Sequence, residues 1–446
     1  VVVTHLIDTT TRTLKRVSIC ILLLTIFGAQ VNSAAITYKN QDEPAADTMQ
    51  LTLQQSETIF LDSNLVLLSQ HYNIDIQRAG IIQAKLWPNP NFSIEHILYS
   101  GELKQFFPTG VNDQTSANLS QLILLAGKRN KQVKLAEANV KLSEYQFYDV
   151  LRTLKYTLRT DFFNVYYLQQ SAKAYNQEIT SLQDVVTAFK EQQGKGYVSE
   201  KEVVRIRAQL YALQTEYNDL INQINDVESQ LRLLLQARQY IYVVPLVDTN
   251  AVAALSPATY SLTTLLDSAY TNRTDLLMAK ANTDIYRLNY IYQKSLATPD
   301  LSANLSYDEQ GSYLTNYFGV GVSMDLPFFS RNQGNIKSAK SSIDVARILE
   351  TSTEDTVKES VTRSLQKAYA QQKLYNTIDS DFVRDFQRLL QGVLDNYKKR
   401  NIGLLDFLDF YDSYKENVLQ LNNILYNRIQ AFEDLNYYTG TDFFNE

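Results

Sequence analysis

Twice in this chain, a segment of alternating polar and apolar residues runs straight into a very long stretch of helical periodicity. That junction limits the available folds more than any other feature. In Thr115–Ala138, Ser116, Asn118 and Ser120 fall on one side of a strand and Ala117, Leu119 and Ile123 on the other. Past Leu125 the alternation stops and Lys128, Arg129 and Lys131 form a basic patch. From Val133 the apolar residues recur every three or four positions. The pattern returns about 200 residues later, where Tyr317–Leu326 alternates, Arg331 and Lys337 bracket the junction, and Ile336 starts a second long helix.

The longest helical segment, Lys128–Gln193, spans roughly 100 Å at 1.5 Å rise per residue. Phe147, Leu151, Leu154, Leu158, Val165 and Leu168 are spaced as in a coiled-coil seam. Gly194-Lys195-Gly196 ends it and a return helix follows over Ser199–Gln239. Upstream, Leu51–Leu86 is helical in pattern and stops at Trp87-Pro88-Asn89-Pro90. All eight prolines lie outside the long periodic segments, as proline's missing N–H and ring clash require.

The plan is duplicated. Leu53, Asn73, Ile76 and Pro90 match Leu262, Asn282, Ile285 and Pro299 at one offset; Val198, Glu202, Asn218 and Leu231 match Ile402, Asp406, Asn422 and Leu435 at a nearby one. The organisation expected is a signal segment 1–33, a leader 34–50, a first unit 51–239, a linker 240–258 and a second unit 259–446. Strands are expected at about 91–100, 115–124, 300–307 and 317–326. The loops would be 101–114 and 308–316.

Each strand taken alone fits a soluble sheet packed on a helix slightly better than a membrane β-barrel. The helices decide between them, because segments of ~100 Å are too long to fold back as a compact cover. Four strands cannot close a barrel, and lipid does not tolerate an open edge, so several chains would have to share one. Two copies give eight strands and three give twelve; the pattern does not choose. The helices would project into an aqueous space, since a bilayer core is only ~30 Å thick.

The N-terminus reads as an export signal: Arg12, Lys15 and Arg16 precede a short apolar run, Val17–Val31, ending at Ser33, Ala34 and Ala35. The single cysteine, Cys20, lies inside that run rather than after it, which argues against lipidation, and its removal would leave a chain without disulfides. A formal charge of −6 gives no sign of a nucleic-acid partner.

With both junctions and the duplication in view, the chain resembles the TolC-type outer membrane efflux ducts of Gram-negative bacteria. The resemblance runs from Leu51 to Gly440 and rests on LTLQQSETIFLDSNLVLLSQ, AKLWPNPNFSI, QLILLAGKRNKQ and SMDLPFFSRNQGNIKSAK, in order and duplicated. It implies a homotrimer in outer membrane lipid, with a shared twelve-stranded β-barrel continued by a long α-helical barrel across the periplasm. It implies a periplasmic adaptor and an inner-membrane pump as partners. The compact size and IIQAKLWPNPNFSIEHILYS are similar to members serving heavy-metal pumps of the resistance-nodulation-division (RND) class. A drug or protein export duct is the alternative within the family. From a different class, a periplasmic coiled-coil or adaptor protein remains, although an adaptor should carry Gly-rich β-domains between its helices.

The same resemblance places the far tip at the two turns, with Gly194, Gly196, Tyr197, Val198, Ser199, Arg400, Asn401, Ile402 and Gly403 as adaptor-contacting residues. YKKRNIGLLDFLD matches the family segment carrying paired aspartates at the periplasmic entrance, which assigns Asp406 and Asp409 to a constriction, with Glu202 as their repeat-related counterpart. Carboxylates three apart share a helix face, so three copies would stack them in rings. The alternative is ordinary solvated charge in a helix first turn, where carboxylates are favoured. Lys398, Lys399 and Arg400 stand where the family usually has small residues; they either pair with these carboxylates or lie outside on the turn.

Catalytic chemistry finds no footing. The chain has no Gly-rich phosphate loop and no nucleophile elbow. His5, His71 and His96 are scattered without cysteine or HxxxH companions, so no resident metal or cofactor is expected. Thirty tyrosines suit both interface girdles and helix packing, and Tyr437 and Tyr438 read as packing.

Overall fold

The computed structural model describes residues 48–445 except 102, 109–113, 238–240 and 311–312, and the side chains within that range other than those of 380–384, 386, 387 and 391. The expected signal segment and nearly all of the leader lie outside the described residues. The chain enters through β1 (Thr48–Thr52) and helices α1 (Leu53–Ser63) and α2 (Leu65–Lys85). Next come β2 (Asn91–His96), a small hairpin of β3 (Tyr99–Ser100) and β4 (Gln105–Phe106), and β5 (Thr115–Ile123). Then α3 (Lys128–Gly194), 67 residues long, and α4 (Glu200–Leu235) run as a helical hairpin. Past β6 (Tyr242–Leu246) and α5 (Thr249–Ala254), the second unit repeats the order. It holds α6 (Leu262–Asn272), α7 (Thr274–Leu296), β7 (Leu301–Gln310), β8 (Thr315–Met324), α8 (Gln333–Tyr375), α9 (Ser380–Lys398) and α10 (Leu404–Thr439).

The structure departs from the sequence reading in five places. The first helical segment is not continuous: Asn64, at ψ 117°, interrupts it, and its Oδ1 accepts from the N–H groups of Val66 and Leu67 to cap α2. Arg273 interrupts the second unit at the repeat-related position, between α6 and α7. The second long helix divides at 376–379, between α8 and α9, whereas α3 runs unbroken. The linker expected at 240–258 is structured, since it holds β6 and α5, and β6 pairs in parallel with β1 from Thr48↔Tyr242 to Thr52↔Leu246. Finally, the expected strand 91–100 leaves its ladder after His96, where Tyr99 and Ser100 pair instead with Phe106 and Gln105.

The core follows the helices as a series of clusters. Leu182, Val185 and Phe189 of α3 meet Ile206, Leu213 and Ile224 of α4 and Phe407 and Tyr411 of α10. Midway, Arg159 of α3 is buried and donates from Nε and Nη2 to both carboxylate oxygens of Glu433 at 2.6 and 2.8 Å, and from Nη1 to Glu57 at 2.7 Å. This places α1, α3 and α10 in one register, because a charge removed from water needs partners on every side. Among the described residues, no helix is long and apolar enough to cross a membrane.

Candidate functional site

The four strands form one sheet in the order β2-β5-β7-β8. Its antiparallel registers align apolar residues from strand to strand. Phe92 lies opposite Leu119, Leu119 opposite Leu305, and Leu305 opposite Val320. One step along, Ile94, Ala117, Tyr307 and Phe318 form a parallel row. Because side chains alternate across the pleat, Ser116, Asn118, Ser120, Ser302, Asn304, Ser306 and Ser323 occupy the other face. On β8 that face carries glycine: a Cβ at Gly319 would stand 2.8 Å from the Ser306 Oγ, so a larger residue would crowd β7.

The apolar face is uncovered. Phe92 and Ile94 are each 66% exposed, Phe318 70% and Val320 87%. A soluble domain buries such a face against helices, but here the helices continue away from it. Strands of nine and ten residues (β5 and β7) give roughly 30 Å at ~3.4 Å per residue. Among the described residues β2 pairs only with β5 and β8 only with β7, so both outer edges are unpaired.

The strand-to-helix junction explains the basic patch. Lys128 Nζ lies 2.6 Å from Asp300 Oδ1, and the same oxygen accepts from the Leu125 N–H at 2.9 Å, tying the start of α3 to the start of β7. Arg129 stacks 4.2 Å over the Trp87 ring, and Lys131 donates to the Ala126 carbonyl. These cations hold the chain where it leaves the sheet.

At the opposite end the two turns are built alike. Tyr197 N–H donates to the Gln192 carbonyl and Gly196 N–H to that of Gln193; Asn401 and Arg400 repeat the pair with Asn396 and Tyr397. The left-handed residue of each turn is Gly196 at φ +76° and Arg400 at φ +63°. Arg400 Nη2 donates to the Tyr197 carbonyl at 2.5 Å and to Gln192 Oε1 at 3.1 Å, clasping the second turn to the first. Val198 is buried and Ile402 packs against the same cluster, while Tyr197 is exposed. Behind the turns, Tyr397 stacks on Phe407 at 4.2 Å and meets Phe189 edge-on at 5.0 Å.

Glu202 and Asp406 both hold the third position of their helices, yet they are used differently. Ser199 caps α4, and its N–H and Oγ donate to Glu202 Oε2 at 3.0 and 2.8 Å in a reciprocal capping box. Those hydrogen bonds, and then Arg400, hold the Glu202 carboxyl below its ordinary value. Glu202 is therefore engaged by its own helix. Gly403 occupies the equivalent cap position of α10 and offers no side chain, so Asp406 has no such tie. Asp406 and Asp409 are both exposed, and among the described residues no ion pair joins them to Lys398, Lys399 or Arg400. The structure thus ties Arg400 to the first turn at Tyr197 and Gln192 and leaves the aspartate pair open to solvent. The Ser199-x-x-Glu202 spacing was a visible capping signal; the Arg400 clasp carried none.

His96 Nδ1 lies 3.0 Å from the Thr115 Oγ1 within the sheet, and His71 is exposed on α2. Among the described residues no group of three or more His, Cys, Asp or Glu is placed to hold a metal ion. Tyr437 packs on Tyr156 at 4.8 Å and under Arg152 at 4.4 Å.

Residues 58–236 match the family model described as outer membrane efflux protein. The chain is 23% identical over 299 residues to the cobalt-zinc-cadmium resistance protein CzcC of Cupriavidus metallidurans, covering 67% of this chain and 68% of that protein. In structure it is similar to the Campylobacter jejuni CmeC outer membrane channel, with a TM-score of 0.71 at 17% identity over 88% of this chain and 86% of that one. It is similar too to CusC, in a study of transmembrane channel formation, with a TM-score of 0.70 at 16% identity over 87% and 92%. These likenesses carry the duplicated strand-hairpin and long-helix fold expected from the sequence.

Proposed function

We propose that three copies of this chain form a passive exit duct across the outer membrane, a reading supported by the match of residues 58–236 to the outer membrane efflux protein family model. The single observation that carries this reading is the uncovered apolar face of a sheet whose two edges are unpaired. Pairing β2 of one copy with β8 of the next closes twelve strands with no edge left, the apolar face meeting lipid and the Ser/Asn face lining water. The helices α3, α4, α8, α9 and α10 continue the wall into the periplasm, and the two turns form its far tip. There a periplasmic adaptor docks, and an RND-type inner-membrane pump supplies the energy. The chain itself does no chemistry.

The cargo we infer is heavy-metal cations, supported by the similarity to a cobalt-zinc-cadmium resistance protein. Asp406 and Asp409, exposed on one face of α10, supply the carboxylate rings of the entrance in this reading.

The assembly is tested with cysteine pairs placed across β2 and β8, one on each strand. Oxidation in detergent should give a ladder ending at three chains. Cross-links that stop at two chains would replace the trimer with an eight-stranded dimer. Cells given the duct with its pump and adaptor should tolerate more zinc, cobalt or cadmium; unchanged metal tolerance with improved resistance to organic drugs would transfer the cargo to the drug class.

A further inference from the structure

Glu178 lies on α3 and is 2% exposed, yet neither carboxylate oxygen has a hydrogen-bond partner. It sits among other charges. From α10 it is faced by Lys415, Asp412 and Glu416, and from α4 by Glu216. Lys415 is the one cation in this group and is already engaged, its Nζ lying 2.8 Å from Glu216 and 3.8 Å from both Asp412 and Glu416. Gln209 of α4 donates to Asp412 at 2.9 Å, and Tyr175 donates to Glu216 at 3.2 Å. Four carboxylates therefore share one lysine, and the most buried of them receives no donor. A carboxylate in that setting is costly when charged and acceptable when neutral.

Its position couples its charge state to the packing behind the tip. Glu178 is sixteen residues before Gly194, or roughly 24 Å along the helix. Beside it, Tyr411 begins an aromatic ladder: its ring lies 4.5 Å from Phe407, which stacks on Tyr397, which meets Phe189. Tyr411 is buried and lies near enough to Glu178 to feel its charge. A charge appearing on Glu178 acts on the contact between α3 and α10 from which the tip hangs.

We propose that Glu178 is a proton-binding site through which the packing of α3 against α10, and with it the tip's resistance to opening, depends on pH. The second half rests on the duct reading. With its proton on, the carboxyl packs as a neutral group; losing the proton to solvent leaves a buried anion, relieved when α10 shifts and admits water. Burial pushes this carboxyl up to about 8 from 4.5, with Asp412, Glu216 and Glu416 adding to the rise and Lys415 opposing it. Between those two values the folded chain holds a proton that the unfolded chain has released. The packing is thus strongest below about 4.5, and the advantage is lost as the pH rises to about 8.

The test compares melting of the assembled oligomer in detergent from pH 5 to 9.5 for wild type, Glu178→Gln and the apolar near-isostere Glu178→Met. Asp161 and Glu228, pushed up by burial to about 6 and 7, contribute pH dependence common to all three proteins, so the difference between proteins is the reading. Wild type and Glu178→Gln should melt close together at pH 5 and separate progressively as the pH rises to about 8, the variant melting several degrees higher and the gap staying level beyond that. A difference that stays constant with pH, in both variants, overturns the proton site. Channel opening frequency in bilayers should rise with pH in wild type and less in Glu178→Gln. Equal pH responses there, despite diverging melting curves, overturn the link to the tip. Channels absent from both proteins would refute the duct and leave the melting comparison to decide the site.

Discussion

Arg400 occupies a backbone conformation that its repeat partner fills with glycine. A left-handed backbone costs a non-glycine residue roughly 1–2 kcal/mol, and the guanidinium's bonds to Tyr197 and Gln192 offset that cost. The two contributions separate by mutation. Arg400→Gly loses the clasp but relieves the backbone, whereas Arg400→Ala loses the clasp and keeps the strain. Chemical denaturation should therefore rank Arg400→Ala below Arg400→Gly by about 1 kcal/mol. Equal stabilities would show that the strain is absent. At the neighbouring cap, Ser199→Ala should cost about 1 kcal/mol and let the Glu202 carboxyl rise toward its ordinary value, because the bonds that hold it down come from Ser199. The contrast with Arg159 is one of burial. Arg159→Met would leave Glu433 buried without its cation and should cost about 3–5 kcal/mol, while Arg159→Met/Glu433→Leu should recover much of it.

At the scale of elements, the sheet was the most legible part of the chain. Alternation in Thr115–Ile123 and Thr315–Met324 fixes which side chains share a face, since the period is two and a slip of one residue would turn the whole set over. The long helices were legible for the same kind of reason, a sustained spacing of three and four. The interruptions were not. Asn64 and Arg273 break helices where each also makes a tertiary bond, Asn64 Nδ2 to the Leu234 carbonyl at 3.0 Å and Arg273 to Ser360 Oγ, and such long-range partners leave no local periodic trace. The parallel pairing of β1 with β6 joins segments about 190 residues apart and was equally invisible. Alternation could show two faces, but only the absence of any cover over Phe318 and Val320 shows that the apolar one is presented outward. A charge there should be costly in lipid. Val320→Lys should lower the stability of the membrane-embedded oligomer by roughly 2–4 kcal/mol if it lies near the bilayer midplane, while Asn304→Lys on the opposite face leaves assembly intact. Oligomer recovery from lipid-reconstituted protein checks the pair, and equal tolerance of both lysines would remove the lipid face.

At the scale of the molecule, the two ends call for different surroundings. A sheet with an apolar exterior and open edges asks for neighbours in lipid, and a helical stem of roughly 100 Å carries the wall far beyond a bilayer. The duplication gives each copy two strand pairs and two helical turns, so in the proposed ring of copies the strands would form one end and the turns, with the proposed narrowing, the other. Of the acidic residues assigned to that narrowing, Glu202 is bound into its helix cap while Asp406 and Asp409 stand free of such a tie, which makes the aspartates the ones to change. The most direct measurement is single-channel conductance of the purified oligomer in planar bilayers, wild type beside Asp406→Ala/Asp409→Ala. A duct constricted at those carboxylates gives discrete steps that grow in the double variant. A folded oligomer that gives no steps in either form would contradict the duct itself.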